Sequence, residues 1–167
     1  MKAYLDNNVV SSIVKDDNKS QSSALTRLLE AREQHKVEVV TSEITLEEIQ
    51  KCPECYRPPL ERAFRLLEKV AIVRWDDLMG VNSSGDKYTW INTPVIHNDP
   101  LYATLLSLGL EVIDARHVFV AAKQTCDVFL TCDNSPRTSI LRRAAEIKKL
   151  CVLIVQMPSE FVAGKGW

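Results

Sequence analysis

The sequence predicts an α/β protein built on a parallel sheet, and three observations carry that expectation. Short, predominantly apolar runs recur along the chain at Ala3-Tyr4-Leu5, Val37-Glu38-Val39-Val40, Ala71-Ile72-Val73, Val128-Phe129-Leu130 and Cys151-Val152-Leu153-Ile154-Val155. Amphipathic helical stretches stand between them, and no repeat or low-complexity linker breaks the alternation. Strands that are apolar throughout rather than alternately are those buried on both faces, as helices packed on either side of a parallel sheet bury them.

Each element has its own signal. Ala3-Tyr4-Leu5 ends at Asp6. From Ser22 to Gln34, Ala24, Leu25, Leu28, Leu29 and Ala31 recur at helical spacing with charges in the gaps. Val37–Val40 is β-branched and short, a second strand, and Thr41 and Ser42 offer N-cap chemistry to a helix running towards Lys51. Pro58-Pro59 opens another helix through Leu60, Ala63, Phe64, Leu66 and Leu67, and Ala71–Val73 is the third strand. The stretch from Trp75 to Pro100 is irregular around Asn82-Ser83-Ser84-Gly85-Asp86, so one domain over residues 1–167 is expected with an irregular insertion at about 75–100. Helices are expected over Pro100–Leu108, Ala115–Gln124 and Pro136–Lys149, the last strongly basic, with strands four and five beside them.

Composition removes several functions. With 167 residues, 21 basic against 22 acidic side chains and a pI near 6.3, the chain lacks the basic excess of a protein that coats nucleic acid. An enzyme that grips a few phosphates through a metal needs no such excess. No apolar run reaches the ~18 residues of a membrane span, and Asp6 interrupts any leader-like core, so no membrane association and a cytoplasmic location are expected. Five cysteines, an odd number, argue against a disulfide framework. Cys52-Pro53-Glu54-Cys55 has no second ligand pair at zinc spacing and is expected after a helix rather than at a redox-active helix start, so its thiols are read as incidental.

The acids carry the chemistry. Ligands of an open parallel sheet gather beyond the carboxyl ends of its strands. Asp6 and Asp133 directly follow the first and fourth apolar runs, Glu47 and Glu48 lie early in the helix after the second, and Asp114 begins the helix leading into the fourth. Clustered carboxylates raise one another's pKa unless a cation sits among them, and hard divalent ions accept such oxygens. Any one of these aspartates could serve as a helix cap, its oxygen accepting the free N–H groups of the next turn. Four segments converging on one rim is what favours the metal.

Those same residues resemble the motifs of PIN-domain proteins. Tyr4-Leu5-Asp6-Asn7-Asn8-Val9-Val10 is similar to the family's opening strand, Asp, polar residue and aliphatic pair. Thr41-Ser42-Glu43-Ile44-Thr45-Leu46-Glu47-Glu48-Ile49 resembles the second motif, a Ser/Thr followed by a helix with one essential Glu. Ile113-Asp114-Ala115-Arg116-His117 with Ala121-Ala122 resembles the third, and Thr131-Cys132-Asp133-Asn134 after a strand resembles the fourth. The ending, Val155-Gln156-Met157-Pro158-Ser159-Glu160-Phe161, is also similar to the tail of many members, so the likeness runs from residue 1 to about 161.

The resemblance implies a three-layer α/β/α sandwich around a parallel sheet of about five strands. It implies a Mg²⁺- or Mn²⁺-dependent endoribonuclease, with RNA as substrate and Asp6, Glu48, Asp114 and Asp133 as catalytic metal ligands. Glu48 is preferred to Glu47 because the family's Glu stands just before an aliphatic residue, here Ile49. Thr131 would orient water or a ligand, and Asn8 would hold the loop at Asp6. Many small members are VapC-type toxins, so a cognate antitoxin and a second copy of the chain become candidate partners, with the helix of Ala24–Ala31 a contact surface. Two departures stand out: the extra length between Trp75 and Pro100, and Asn134-Ser135-Pro136 after Asp133, which leaves open which of Asp133 and Asn134 faces the metal.

Around the acids, Arg116 and Arg137 are candidates to hold the RNA backbone. His117, beside Val118 and Phe119, is expected to pack in the helix interface, and Arg142-Arg143 and Lys148-Lys149 to form a solvated helix face. Trp75 is expected to be core, and Trp167 to lie at a frayed end. The alternative function is a catalytically idle PIN-like interaction or RNA-processing module, which typically lacks one of the acids. All four are present. A receiver- or phosphatase-like domain would need paired acids after strand one and a late lysine, which Asp6-Asn7-Asn8 and Thr131-Cys132-Asp133 do not supply.

Overall fold

The structure, a computed structural model, describes residues 1–15, 19–66, 70–73, 99–135 and 139–167, and the side chains of 13–15, 62–64 and 66 lie outside that description. The expected insertion, Trp75, Trp90 and Arg137 therefore fall outside the described residues. Strands β1 (Lys2–Leu5), β2 (Glu38–Ser42), β3 (Ala71–Val73), β4 (Val128–Leu130) and β5 (Ile154–Gln156) form one sheet in the order β3-β2-β1-β4-β5. Every neighbouring pair is parallel, with Tyr4 beside Val40 on one side and Phe129 on the other. The α/β class and the five strands are as the sequence predicts.

Side chains alternate across the sheet, so each strand supplies two cores. Tyr4, Val40, Phe129 and Val155 face α5 (Pro100–Ser107) and α6 (Val112–Lys123), with Ile147 of α7 (Ala144–Cys151) closing the same layer. Ala3, Leu5, Val39, Val128 and Leu130 face the other way, onto α1 (Asn7–Lys15), α2 (Lys19–Glu33) and α8 (Pro158–Lys165). Two further helices, α3 (Glu43–Lys51) and α4 (Arg57–Leu66), link β2 to β3. Helices cover both faces, giving three layers. None of the described helices is long and apolar enough to cross a membrane.

The strand order fixes where a ligand can sit. The chain leaves β1 to build β2 and β3 on one side, then returns to build β4 and β5 on the other. Connections after β1 and β4 therefore diverge and open a crevice at the carboxyl ends of these two central strands. Asp6 stands at its floor, its N–H donating to the Leu130 carbonyl at 3.1 Å.

Several elements depart from the sequence reading. Asp6 is followed directly by α1 rather than by a loop. Its sequence, rich in Asn, Ser and β-branched residues, has poor helix propensity and is held by Val9 and Val10, both fully buried. Cys151 ends α7 and Val152 turns left-handed (φ 61°), so β5 begins only at Ile154. The apolar run 151–155 is shared between a helix end and a strand. The basic stretch expected as one helix from Pro136 is, where described, a 3₁₀ turn (Ile140–Arg143) leading into α7, with Arg142, Arg143, Lys148 and Lys149 exposed. Trp167 is docked, not frayed: its ring meets Phe161 edge-on at 5.6 Å and its carbonyl accepts from Arg27 at 3.0 Å.

Candidate metal centre

The crevice is built from four elements. Asp6 comes from the end of β1, Glu48 from the second turn of α3, Asp114 and His117 from the first turns of α6, and Thr131 and Asp133 from the segment after β4. Asp6 is nearly fully buried, and its two oxygens have different surroundings. Oδ2 accepts from the Thr131 hydroxyl at 2.7 Å and from the Asn8 amide at 3.3 Å. Oδ1 has no hydrogen-bond donor among the described residues and faces His117 Nε2 at 3.8 Å.

Thr131 is fully buried and does two things at once. It donates to Asp6 and accepts the Asp133 N–H at 3.0 Å, so one hydroxyl ties the first motif to the fourth. Asp133 Oδ1 accepts the Ser135 N–H at 2.9 Å, a local turn of the kind aspartate favours. Asp133 is half-buried and Asn134 exposed, and the Asp133 charge helps raise the Asp114 carboxyl.

The residue that sequence reasoning undervalued is His117. It is fully buried in the helix interface, as expected, yet it is not a bystander there. Nε2 lies 2.8 Å from Glu48 Oε2, and Nδ1 lies 2.7 Å from the Tyr4 hydroxyl, which lies 2.6 Å from Ser42 Oγ. Ser42 is the N-cap residue of α3 by position, but its hydroxyl serves this chain rather than capping. Asp6, Glu48 and His117 each bring a ligand atom within 4.8 Å of the other two. Asp114 and Asp133 stand outside that group, and Glu47 is not part of it. The one available signal was the position of His117 three residues after Asp114, one helical turn on and thus on the same face.

Electrostatics show what the site is suited to. Burial, then the charges of Asp6, Asp133 and Glu111, push the Asp114 carboxyl up to about 7. Burial also raises Asp6, against the pull of His117 and the Thr131 hydrogen bond. For His117, burial works downward, but the Glu48 hydrogen bond and the charges of Asp6, Glu48 and Asp114 outweigh it and hold the imidazole above its ordinary value. Carboxylates reluctant to ionise together, one of them buried, fit a divalent cation.

No protein-family model matches the sequence, and no curated protein matches it. Among solved structures, a chain of VapBC2 from Rickettsia felis bound to a DNA fragment from their promoter superposes with a TM-score of 0.57. The match covers 94% of this chain and 98% of that one at 14% identity. The architecture is PIN-like. At such low identity the likeness speaks for the fold alone.

Proposed function

We propose that the chain is a divalent-metal-dependent endoribonuclease that uses Asp6, Glu48, Asp114 and Asp133 to hold Mg²⁺ or Mn²⁺. The observation that carries this reading is the buried Asp6 carboxylate, whose ligand atom lies within 4.8 Å of those of Glu48 and His117. Such a group is costly unless a cation balances it. When bound, the ion would acidify a water, polarise a phosphoryl oxygen and neutralise charge on the leaving oxygen. The choice of RNA as substrate rests on the motif resemblance.

The side chains divide the remaining work. Thr131 and Asn8 fix the Asp6 carboxylate from two sides. Glu48, a quarter exposed, stands where crevice meets solvent. Asp114 and Asp133, both partly buried, would complete the set by direct or water-mediated contact. Arg116, half-buried on α6, and Arg137 are the candidates for phosphate contacts along the strand. A toxin–antitoxin setting, with an antitoxin and a second copy as partners, is supported by the likeness to a VapBC2 chain.

The test is cleavage of RNA by homogeneous protein with and without Mn²⁺ or Mg²⁺. The Asp6→Asn variant is expected to lose at least about a hundredfold in metal-dependent rate, since even outer-shell partners of metal ligands cost 10–100-fold. Undiminished cleavage by that variant would sink the reading.

A further inference from the structure

Resting on the metal-site reading, we propose that His117 Nε2 is itself a ligand of the ion, forming a nitrogen-and-oxygen set with Asp6 and Glu48 that favours Mn²⁺ over Mg²⁺. Distances allow it. Two donors sharing an ion at about 2.1 Å stand about 3 to 4.2 Å apart, depending on the angle between them. Nε2 lies 2.8 Å from Glu48 Oε2 and 3.8 Å from Asp6 Oδ1, and ligand atoms of all three residues lie within 4.8 Å of one another, so closing onto one ion asks for local side-chain adjustment. Asp6 Oδ1, on a buried carboxylate, has no donor among the described residues.

The imidazole is also held as a ligating histidine is held. Metal-binding histidines donate their second ring N–H to a fixed partner, which sets the tautomer and aims the other nitrogen. Tyr4 Oη can accept from His117 Nδ1–H at 2.7 Å while donating to Ser42 Oγ at 2.6 Å, and this directs the Nε2 lone pair at the acids. Tyr4 and Ser42 belong to β1 and β2, so the anchor is part of the sheet. Stacking of Tyr4 on Phe129, at 5.2 Å and 14°, fixes the phenol further. Imidazole is a softer donor than carboxylate, so one nitrogen among the oxygens weakens the site for Mg²⁺, a hard ion held by oxygen ligands, more than for a transition-metal ion such as Mn²⁺.

The experiment is pulsed electron paramagnetic resonance on the full chain loaded with Mn²⁺. Of the three histidines in the sequence, His35 and His97 are replaced by Gln, leaving His117 as the sole source of imidazole nitrogen. Expected is the ¹⁴N modulation of a directly coordinated imidazole, in the wild type and in this double variant, converting to the ¹⁵N pattern on histidine labelling. Calorimetry is expected to show Mn²⁺ bound more tightly than Mg²⁺. Bound Mn²⁺ without nitrogen coupling overturns the inference and leaves the metal site standing, with His117 merely steadying Glu48 through Nε2–H. Coupling that disappears in the double variant overturns it too, and equal affinities overturn the selectivity. Failure to bind Mn²⁺ at all removes the metal-site reading itself.

Discussion

Tyr4 shows how much rests on one hydroxyl in this site. The ring is wholly buried, stacked on Phe129 and edge-on to His117, and its oxygen bridges Ser42 and the imidazole. Burial raises its pKa well above the ordinary phenol, so it serves as a neutral hydrogen-bonding group at any working pH. Tyr4→Phe keeps the ring and its stacking but strips both partners of their bridge. Leaving a buried polar group unsatisfied costs about 1–3 kcal/mol. The variant is therefore expected to unfold at lower urea with an unchanged m-value, and an unaltered midpoint would show that the bridge does not hold the imidazole. At this scale the sequence was only partly legible. Asp6, Thr131 and Asp133 declare themselves by following apolar strands. A histidine between apolar neighbours does not, because its partners Tyr4 and Glu48 are 113 and 69 residues away.

Elements were read well where local pattern and tertiary burial agree, and poorly where they disagree. β1, α2, β3 and β4 carry apolar runs or helical periodicity, and each forms close to its expected span. α1 has a sequence that local propensity alone rejects, and only packing of Val9 and Val10 makes it helical. No helix is expected over α8 from apolar spacing, although Pro158 stands at its start and Glu160 accepts the Met157 N–H at 3.0 Å, a start signal in its own right. The end of α7 carries a testable cost. Val152 adopts φ 61° and is 80% exposed, so a β-branched residue sits in left-handed backbone with little burial in return. That conformation costs an L-residue roughly 1–2 kcal/mol, and glycine returns part of the gain through unfolded-state entropy. Val152→Gly is expected to stabilise by on the order of 0.5–1 kcal/mol, read as a rise in thermal midpoint. A fall in midpoint would mean that the exposed valine contributes more than its backbone loses.

Across the whole molecule, the crevice sets the protein's stability against its own site, and pH exposes the conflict. In the unfolded chain Asp114 ionises near 3.8, while in the folded protein it holds its proton to about 7. Below pH 4 both states carry the proton and the group contributes no pH dependence. Between about 4 and 7 the folded state binds more protons than the unfolded one, so stability falls as pH rises, levelling off above 7. His117 acts in the same direction: its raised pKa adds stability at low pH that is lost as pH climbs through the folded value. Metal-free protein is therefore expected to melt at a lower temperature at pH 8 than at pH 5. Asp114→Asn, which removes the charge but keeps the shape, is expected to flatten part of that slope and to melt above the wild type at pH 8. Added Mn²⁺ binds the deprotonated site, so its stabilising effect on the wild type is expected to grow from pH 5 to pH 8. Thermal melts across that range, with and without the ion, check all three. A wild-type minus variant difference that does not change with pH would mean that Asp114 is not held among the other acids, and the four segments would then share a rim without sharing a charge.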